Sequence, residues 1–208
     1  LNLGVMSKNP IIIFEGIEGT GKTHHIKNVA NYLKRKKKKF IQIREPGGNK
    51  NSEKIRKIIL NNKSSFNRYT DLLLYLSARS ENVDLIKKNA GKKIILIDRF
   101  SDSTIAYQHF GMGVNLKFIE DINNFLIKGI NVDFTFLNIV NQKNLIKRLK
   151  QRKKLNRYDK FSSIFYDKVQ KGFIKIFKKN PKKYMKIDSN MNIKDNETII
   201  LNKIDNLI

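Results

Sequence analysis

The chain contains the stretch Gly16-Ile17-Glu18-Gly19-Thr20-Gly21-Lys22-Thr23. This stretch matches the pattern G-x-x-x-x-G-K-[ST], whose spacing is suited to holding the phosphates of a nucleotide. The glycines let backbone N–H groups curl around phosphate oxygens, Lys22 supplies a positive charge, and the Thr23 hydroxyl can ligate Mg²⁺. We therefore expect all eight residues to belong to a phosphate-binding loop.

The sequence on either side of this loop supports the interpretation. Residues 11–14 form an apolar run typical of a short buried strand, and a helical pattern opens at His24. The N-terminus of such a helix carries partial positive charge and would face the bound anion. An ordinary glycine turn between a strand and a helix is the alternative, and the complete pattern with its flanking elements favours the phosphate-binding loop.

The rest of the chain predicts an α/β fold. Apolar runs typical of strands alternate with longer helical patterns, which indicates a parallel sheet with helices on both faces. The predicted strands are residues 11–15, 40–44, 93–97, 134–137 and 184–187. The predicted helices are residues 24–36, 52–60, 69–88, 116–128, 142–153, 162–179 and 197–206.

The length of 208 residues suits one domain. We expect this domain to span residues 1–208, with a flexible leader at residues 1–8. The one long polar stretch, residues 152–160, is expected to form a mobile lid.

The net charge of +25 raises the question of a nucleic-acid partner, since lysines that neutralise phosphates drive such binding. However, lysine is spread along the whole chain. Its densest run, residues 34–39, falls at the end of a predicted helix, where cations suit the helix dipole. We interpret the charge as a solvated surface that attracts anionic nucleotides, and we do not expect nucleic acid as a partner.

The chain has no cysteine, which excludes disulfides, thiolate chemistry and cysteine-based metal sites. This composition is compatible with a reducing cytoplasm, where we expect the protein to reside. No stretch approaches the roughly 18 uncharged apolar residues that a membrane span needs, so we expect no membrane partner.

Three later blocks carry side chains suited to a small nucleotide. Residues 44–48, Arg-Glu-Pro-Gly-Gly, follow the second predicted strand, at the end where ligands bind in open α/β sheets. Tyr75 and Arg79 are four residues apart on a predicted helix, so a ring and a guanidinium share one face and suit a pyrimidine. Asp98 and Arg99 stand at the end of the third predicted strand. There the carboxylate could lie near the metal ion, and the guanidinium could bind the phosphate of an acceptor nucleotide.

A further block, residues 147–159, leaves a predicted helix and enters the polar stretch. Phosphoryl transfer needs positive charge over the transferring group, and arginines in a lid can supply it. The candidates are Arg152 and Arg157, with Arg148 third. In so lysine-rich a chain, a merely solvated role is the alternative for each of them.

Together, the five blocks resemble thymidylate kinases (dTMP kinases) of the bacterial type, over residues 11–159. The resemblance implies the three-layer fold of P-loop nucleoside monophosphate kinases, with a five-stranded parallel sheet and a short lid. It implies transfer of the γ-phosphoryl group of Mg²⁺·ATP to dTMP, which gives dTDP and ADP. It also implies a homodimer.

The resemblance assigns roles to individual residues. Glu18 would lie near the sugar 3′-hydroxyl and the Mg²⁺, Thr104 would reach the polar edge of the base, and Tyr107 would pack against C2′ and disfavour a ribose. The implied dTMP site comprises Glu18, Arg44, Pro46, Tyr75, Arg79, Arg99, Ser103, Thr104, Tyr107 and Gln108. Thr23 and Asp98 would hold Mg²⁺.

The implied catalytic residues are Lys22, Arg99, Arg152 and Arg157, and Arg148 would join the loop on the ATP phosphates. Gly19 stands where some relatives carry an arginine, which places the chain with the bacterial enzymes that supply arginine from the lid. Two positions depart from the common pattern: Tyr75 stands where phenylalanine is commoner, and Phe100 where many relatives have tyrosine or histidine.

The residues leave two other functions open. A sibling kinase would act on another small acceptor such as dUMP, CMP or thymidine, because one methyl group is worth only about 1–3 kcal/mol of discrimination. A basic nucleic-acid-binding ATPase is favoured by charge alone, and no aromatic RNA-binding signature or helix-turn-helix pattern accompanies it. The histidines match no metal spacing.

Overall fold

A computed structural model of the chain describes residues 9–152 and 155–208. The expected leader, residues 1–8, lies outside the described residues, as do residues 153 and 154 of the expected lid.

In the described part of the chain, five parallel strands form one sheet. They are β1 (Ile11–Glu15), β2 (Phe40–Arg44), β3 (Ile94–Asp98), β4 (Phe134–Ile139) and β5 (Tyr184–Asp188). Their order is β2-β3-β1-β4-β5, so β1 lies in the middle. β1 and β3 consist largely of consecutive isoleucines because both faces of a parallel sheet are covered.

The connections that leave β1 and β3 run in opposite directions along the sheet. The chain passes from β1 to β2 at one edge, and from β3 to β4 toward the other edge. Neighbouring strands with diverging connections leave a crevice at their carboxyl ends, which is where open α/β sheets bind ligands. The register places Phe14 opposite Asp98. The predicted phosphate loop and the Asp98-Arg99 pair therefore start side by side.

The helices surround this sheet. They are α1 (Lys22–Arg35), α2 (Lys50–Leu60), α3 (Arg68–Asn89), α4 (Ser101–Thr104), α5 (Leu116–Leu126), α6 (Gln142–Lys150), α7 (Ser163–Lys179) and α8 (Ile193–Asp205). α4 continues as a π-helix over Ile105–Gly111, and short 3₁₀ turns cover Arg157–Lys160 and Pro181–Lys183. Asparagine side chains cap the N-termini of α2, α3, α5, α6 and α8.

The side chains of β1 alternate between two cores, one on each face of the sheet. Ile12 and Phe14 pack with residues of α1 and α8. Ile11 and Ile13 pack with residues of α3 and β2 on the other face. The predicted three-layer α/β arrangement, with a five-stranded parallel sheet and helices on both faces, is confirmed.

The structure differs most from the predicted element map in three places. Residues 101–111 form α4 and the π-helix, although no helix is predicted there, because the segment is largely enclosed and so lacks a one-sided apolar pattern. α6 ends at Lys150, three residues before the predicted end. α8 begins at Ile193, four residues early, because the side chain of Asn192 caps it. Within the described residues, no helix is both long and apolar enough to cross a membrane.

Candidate active site

A cleft of about 560 Å³ opens at the carboxyl ends of β1 and β3. Most of the predicted site residues line it, namely Glu18, Gly19, Thr20, Gly21, Lys22, Thr23, Arg44, Pro46, Tyr75, Arg79, Asp98, Arg99, Ser103, Thr104, Tyr107, Gln108 and Arg152. Four predicted residues do not line this cleft in the described part of the chain: Gly16, Ile17, Arg148 and Arg157.

The phosphate loop is held tightly against the neighbouring strand. A Cβ atom at Gly16 would lie 2.2 Å from the backbone oxygen of Asn138, and the φ of Gly16 is +135°. The Thr20 hydroxyl donates to the Ile17 carbonyl at 2.8 Å, and Ser189 Oγ donates to the Thr20 carbonyl at 2.8 Å. The loop is therefore held in place by the protein's own contacts.

The Lys22 amine lies inside the loop and donates to loop oxygens. Nζ is 2.8 Å from the Gly16 carbonyl oxygen, 2.7 Å from that of Ile17 and 3.3 Å from Thr20 Oγ1. Burial lowers the pKa of Lys22 to about 7, and the nearby Arg99 adds to this effect. A bound phosphate would add negative charge beside this buried amine.

Thr23 and Asp98 bring two oxygen donors together at the edge of the cleft. Thr23 Oγ1 lies 3.5 Å from Asp98 Oδ2. Hydroxyl and carboxylate oxygens are the hard ligands that Mg²⁺ prefers, so the donor set fits the ion expected here.

Arg99 and Glu18 form an ion pair across the cleft. Arg99 Nη2 lies 2.9 Å from Glu18 Oε1, and Nη1 donates to the Gly16 carbonyl at 2.8 Å. The Tyr107 hydroxyl donates to Glu18 Oε2, and the Arg99 guanidinium lies 5.2 Å from the centre of the Tyr107 ring. Burial would raise the pKa of Glu18, but Arg99 and Lys22 hold it below its ordinary value.

Glu15, which the sequence does not single out, anchors the turn that presents Arg99. Its Oε1 accepts from the backbone N–H groups of Phe100 at 2.8 Å and Ser103 at 3.2 Å, and Ser103 Oγ donates to Oε2 at 2.5 Å. These bonds stabilise the left-handed backbone of Arg99, whose φ is +67°. Burial, with a smaller effect of Asp102, raises the pKa of Glu15 to about 7.

Arg79 is held by partners on two sides. Its Nε lies 2.8 Å from Glu45 Oε2, and its Nη1 donates to Asn123 Oδ1 at 2.5 Å. The guanidinium also lies 5.1 Å from the centre of the Phe100 ring. Burial raises the pKa of Glu45, although the adjacent Arg79 opposes this. Arg79 is thus fixed in orientation at the wall of the cleft.

The Thr104 side chain is 2% exposed, and its hydroxyl has no hydrogen-bond partner among the described residues. Since Thr104 lines the cleft beside Arg79 and Gln108, this hydroxyl is free to bond to a ligand. Tyr75, on the same face of α3 as Arg79, lines the same wall.

The three candidate arginines of the block 147–159 occupy different places. Arg152 lines the cleft and pairs with Asp159. Arg148 donates to the backbone oxygens of Gly19 at 2.9 Å and Ser189 at 2.6 Å, and so holds the outside of the phosphate loop. Arg157 pairs with Asp71 and does not line the cleft, although the sequence predicts it over the transferring phosphoryl group.

Several residues of the cleft wall are not among the individually predicted site residues, although Glu45 belongs to the predicted block 44–48. They are Gln42, Glu45, Arg56, Leu60, Phe100, Asn156 and Tyr158. Tyr158 stands between the lid residues Arg157 and Asp159. An aromatic residue in a mainly polar stretch is unusual, and on this ground the sequence could have indicated Tyr158 as a site residue. Arg56 reaches the cleft from α2 through a tertiary contact that its local sequence does not indicate.

The cleft combines a glycine-rich loop that holds a buried lysine with two arginines, Arg79 and Arg99, in its wall. With the doubly covered parallel sheet, this arrangement is typical of the P-loop nucleoside monophosphate kinases. The family model described as thymidylate kinase matches residues 14–200 of the chain. The chain therefore belongs to the thymidylate kinase family.

Individual relatives agree with the family model. The thymidylate kinase of Kosmotoga olearia is 33% identical over 184 residues, which are 88% of each chain. That of Acholeplasma laidlawii is 36% identical over 196 residues, 93% of this chain and 97% of the relative. The crystal structure of thymidylate kinase from Ehrlichia chaffeensis superposes with a TM-score of 0.76 at 30% identity, covering 95% of this chain and 98% of the other.

Proposed function

We propose that ATP and dTMP meet end to end in this cleft, with the donor on the phosphate loop and the acceptor between Arg99 and Tyr75. As a thymidylate kinase family member, the chain is an ATP-dependent kinase that phosphorylates dTMP in nucleotide biosynthesis. The observation that supports these two places is that the cleft has a loop with a buried amine and a wall in which Arg79 is fixed by Glu45 while Arg99 pairs with the more exposed Glu18.

The donor half consists of the loop amides, Lys22 and Thr23. The loop N–H groups and the N-terminus of α1 would bind the phosphates of ATP, and Lys22 would turn from the loop carbonyls to their oxygens. We propose that Thr23 and Asp98 hold Mg²⁺, which when bound would neutralise part of the phosphate charge. Arg148 supports this half from outside by fixing the Gly19 carbonyl.

The phosphate and sugar of dTMP would lie against the turn after β3. Arg99 would bind the monoester, exchanging part of its contact with Glu18 for phosphate oxygens. Glu18 and Tyr107 would then face the sugar, with Ser103 beside them.

The thymine ring would lie along α3. Tyr75 would stack on its face, and Arg79 would donate to a carbonyl oxygen on its edge. The free hydroxyl of Thr104 and the amide of Gln108 would complete the polar edge. Arg44 and Pro46 would close the acceptor half from the end of β2.

Transfer needs alignment and charge neutralisation rather than a strong base, because the acceptor phosphate is already an anion at neutral pH. Lys22, Arg99 and Arg152 supply cations that line the cleft. Among the lid arginines, Arg152 is already in the cleft, whereas Arg157 would have to leave Asp71 to reach the phosphates.

The substrate assignment is tested by ADP release with dTMP, dUMP, CMP, AMP and thymidine as acceptors. We expect dTMP to be fastest and dUMP to be about 10- to 200-fold slower in kcat/KM, the value of one methyl group. As an independent check, dTMP at about 100 times its dissociation constant should stabilise the fold by about 2.7 kcal/mol. Equal rates across the acceptors would overturn the assignment.

We further propose that the protein is a cytoplasmic homodimer. Supporting this, α3 and α5 carry large apolar side chains exposed to solvent: Tyr69, Leu73, Phe118 and Phe125. Tyr69 and Phe118 contact each other edge to face, with their ring centres 6.4 Å apart, so the two helices meet through exposed side chains. Sedimentation of Leu73→Glu beside the parent should show a dimer for the parent and a monomer for the variant.

A further inference from the structure

Asp71 is a buried carboxylate on α3 that the sequence blocks do not include. It is 1% exposed and lies four residues before Tyr75, so the two side chains share a face of the helix. Its Oδ2 accepts from the Tyr158 hydroxyl at 2.5 Å and from Gln108 Nε2 at 3.1 Å, and its Oδ1 pairs with Arg157. The partners of this one carboxylate therefore come from the lid and from the acceptor wall.

Other contacts of the lid turn also lead to the acceptor side of the cleft. Arg157 Nε donates to the Ile59 carbonyl at the end of α2 at 3.0 Å, and Asn62 Nδ2 donates to the Leu155 carbonyl at 2.8 Å. The Tyr158 ring meets the Tyr75 ring edge to face at 5.9 Å. The 3₁₀ turn Arg157–Lys160 thus docks on α2 and α3, the elements beside the proposed pyrimidine site.

The energetics of burial make Asp71 the centre of this docking. A carboxylate removed from water is stable only when it is paired and hydrogen-bonded. Two of its three donors, Arg157 and Tyr158, belong to the lid. If the lid turn lifted away, Asp71 would lose its cation, and Arg157 would lose its contact with the same carboxylate. The charges of both Asp71 and Arg157 therefore favour the docked lid.

We infer that Asp71 is a positioning residue, a latch that holds the lid turn on the acceptor side and so keeps Arg152 and Tyr158 at the cleft. This inference rests on the proposed function, because it assigns the α3 wall to dTMP. A ligand stacked on Tyr75 would contact the face to which the lid is latched. By thermodynamic linkage, dTMP then favours lid docking to the same extent that lid docking favours dTMP.

The latch is tested by hydrogen exchange of backbone amides in residues 156–161, read by mass spectrometry with and without dTMP. The variant Asp71→Asn keeps the shape of the side chain and removes its charge. We expect amide exchange in the lid turn to become at least about tenfold faster, while exchange in β1 and β3 stays unchanged. Asp167→Asn, which breaks an exposed i,i+4 pair with Lys171 on α7, is the matched control.

The second partner keeps the test independent of any folding defect at position 71. Arg157→Gln should speed lid exchange at least as much, because it also loses the bond to the Ile59 carbonyl, and the double variant should exchange more slowly than the two single effects combined predict, because both changes break the Asp71–Arg157 pair. In kinetics, Asp71→Asn should raise the KM for dTMP, whereas a general loss of folded protein would lower kcat alone.

The outcomes separate the latch from the substrate assignment. Lid exchange in Asp71→Asn equal to that of the parent would overturn the latch, even if dTMP still stabilises the protein. Fast lid exchange in the variant, with dTMP slowing exchange in the parent at least about tenfold more than in the variant, would confirm it. If dTMP binds neither protein, the proposed function fails, and the coupling to dTMP fails with it.

Discussion

Two arginine–glutamate pairs face the same cleft and differ in how the protein encloses them. The side chains of Arg79 and Glu45 are 2% and 4% exposed, and Asn123 binds a second N–H of the guanidinium. Those of Arg99 and Glu18 are 17% and 13% exposed, and both face the phosphate end of the cleft. The first pair is sealed between α3, α5 and the end of β2, whereas the second is open to a ligand.

This difference suggests a division of labour. A sealed ion pair cannot exchange partners without leaving a buried charge, so it fixes the direction of its remaining donors. An open pair can replace a carboxylate with a phosphate, which is also an anion and also suits the guanidinium fork. The sealed pair is therefore suited to the neutral edge of a base, and the open pair to a charged ester.

The largest expected effect separates the two pairs directly. Arg79→Gln leaves Glu45 buried without its cation, so the free energy of unfolding should fall by about 3–5 kcal/mol. Arg99→Gln leaves Glu18 partly hydrated, so it should lose much less stability while kcat falls steeply. Urea denaturation and turnover of both variants beside the parent provide the measurement. Equal losses of stability would contradict the division proposed here.

Lys22 extends the comparison, because its amine, like Arg99, is held by the protein's own oxygens until phosphates replace them. Lys22→Met should lower kcat by about 10²- to 10³-fold, the cost of losing one donor to developing charge, with the fold retained. Lys27→Met, an exposed lysine on the same helix, should turn over at the parental rate. A Lys22→Met enzyme faster than about a tenth of the parent would remove the amine from the transfer step.

The smallest expected effect is a dependence of stability on pH. The pKa of Lys22 is about 7 in the folded protein and 10.5 in the unfolded chain, so the unfolded state binds more protons between these values. The contribution of Lys22 to the free energy of unfolding should therefore rise with pH in this window, by at most about 1.4 kcal/mol per pH unit, and stay flat below it.

Urea denaturation of the parent and of Lys22→Met at about pH 7.5 and pH 9.5 measures this contribution, because titrating groups that do not interact with Lys22 cancel in the difference. A stability difference that does not change with pH would mean that the amine stays charged in the folded protein.

Local patterns predict the sheet and the donor half of the cleft well. The strands are short runs of β-branched residues, and the phosphate loop has a fixed spacing that places its own backbone amides and Lys22. Thr23 and Asp98 also come together as expected, because the carboxyl ends of neighbouring parallel strands share one edge. These features depend on residues close in sequence or on the order of the strands.

The parts that the sequence does not reveal depend on contacts between distant segments. Glu15 follows an apolar run and Glu45 stands between Arg44 and Pro46, and neither position gives a local sign of the partners that these carboxylates bind in the core. In the sequence, Arg157 cannot be distinguished from the other basic residues of the lid. Only the fold brings it to Asp71, which is 86 positions away. These pairings form because the groups are buried together, and the pattern of neighbouring residues in the sequence does not indicate that burial.

The close approach of Gly16 to the main chain of β4 has a consequence for mutational tolerance. Gly91 and Gly129 also have positive φ, yet no described atom lies within 4 Å of a Cβ built at either, so asparagine is acceptable there at modest strain. At position 16 the obstacle is a backbone oxygen, which no rotamer change can move aside. In a saturation library selected for survival, positions 91 and 129 should therefore accept other residues, whereas position 16 should retain only glycine.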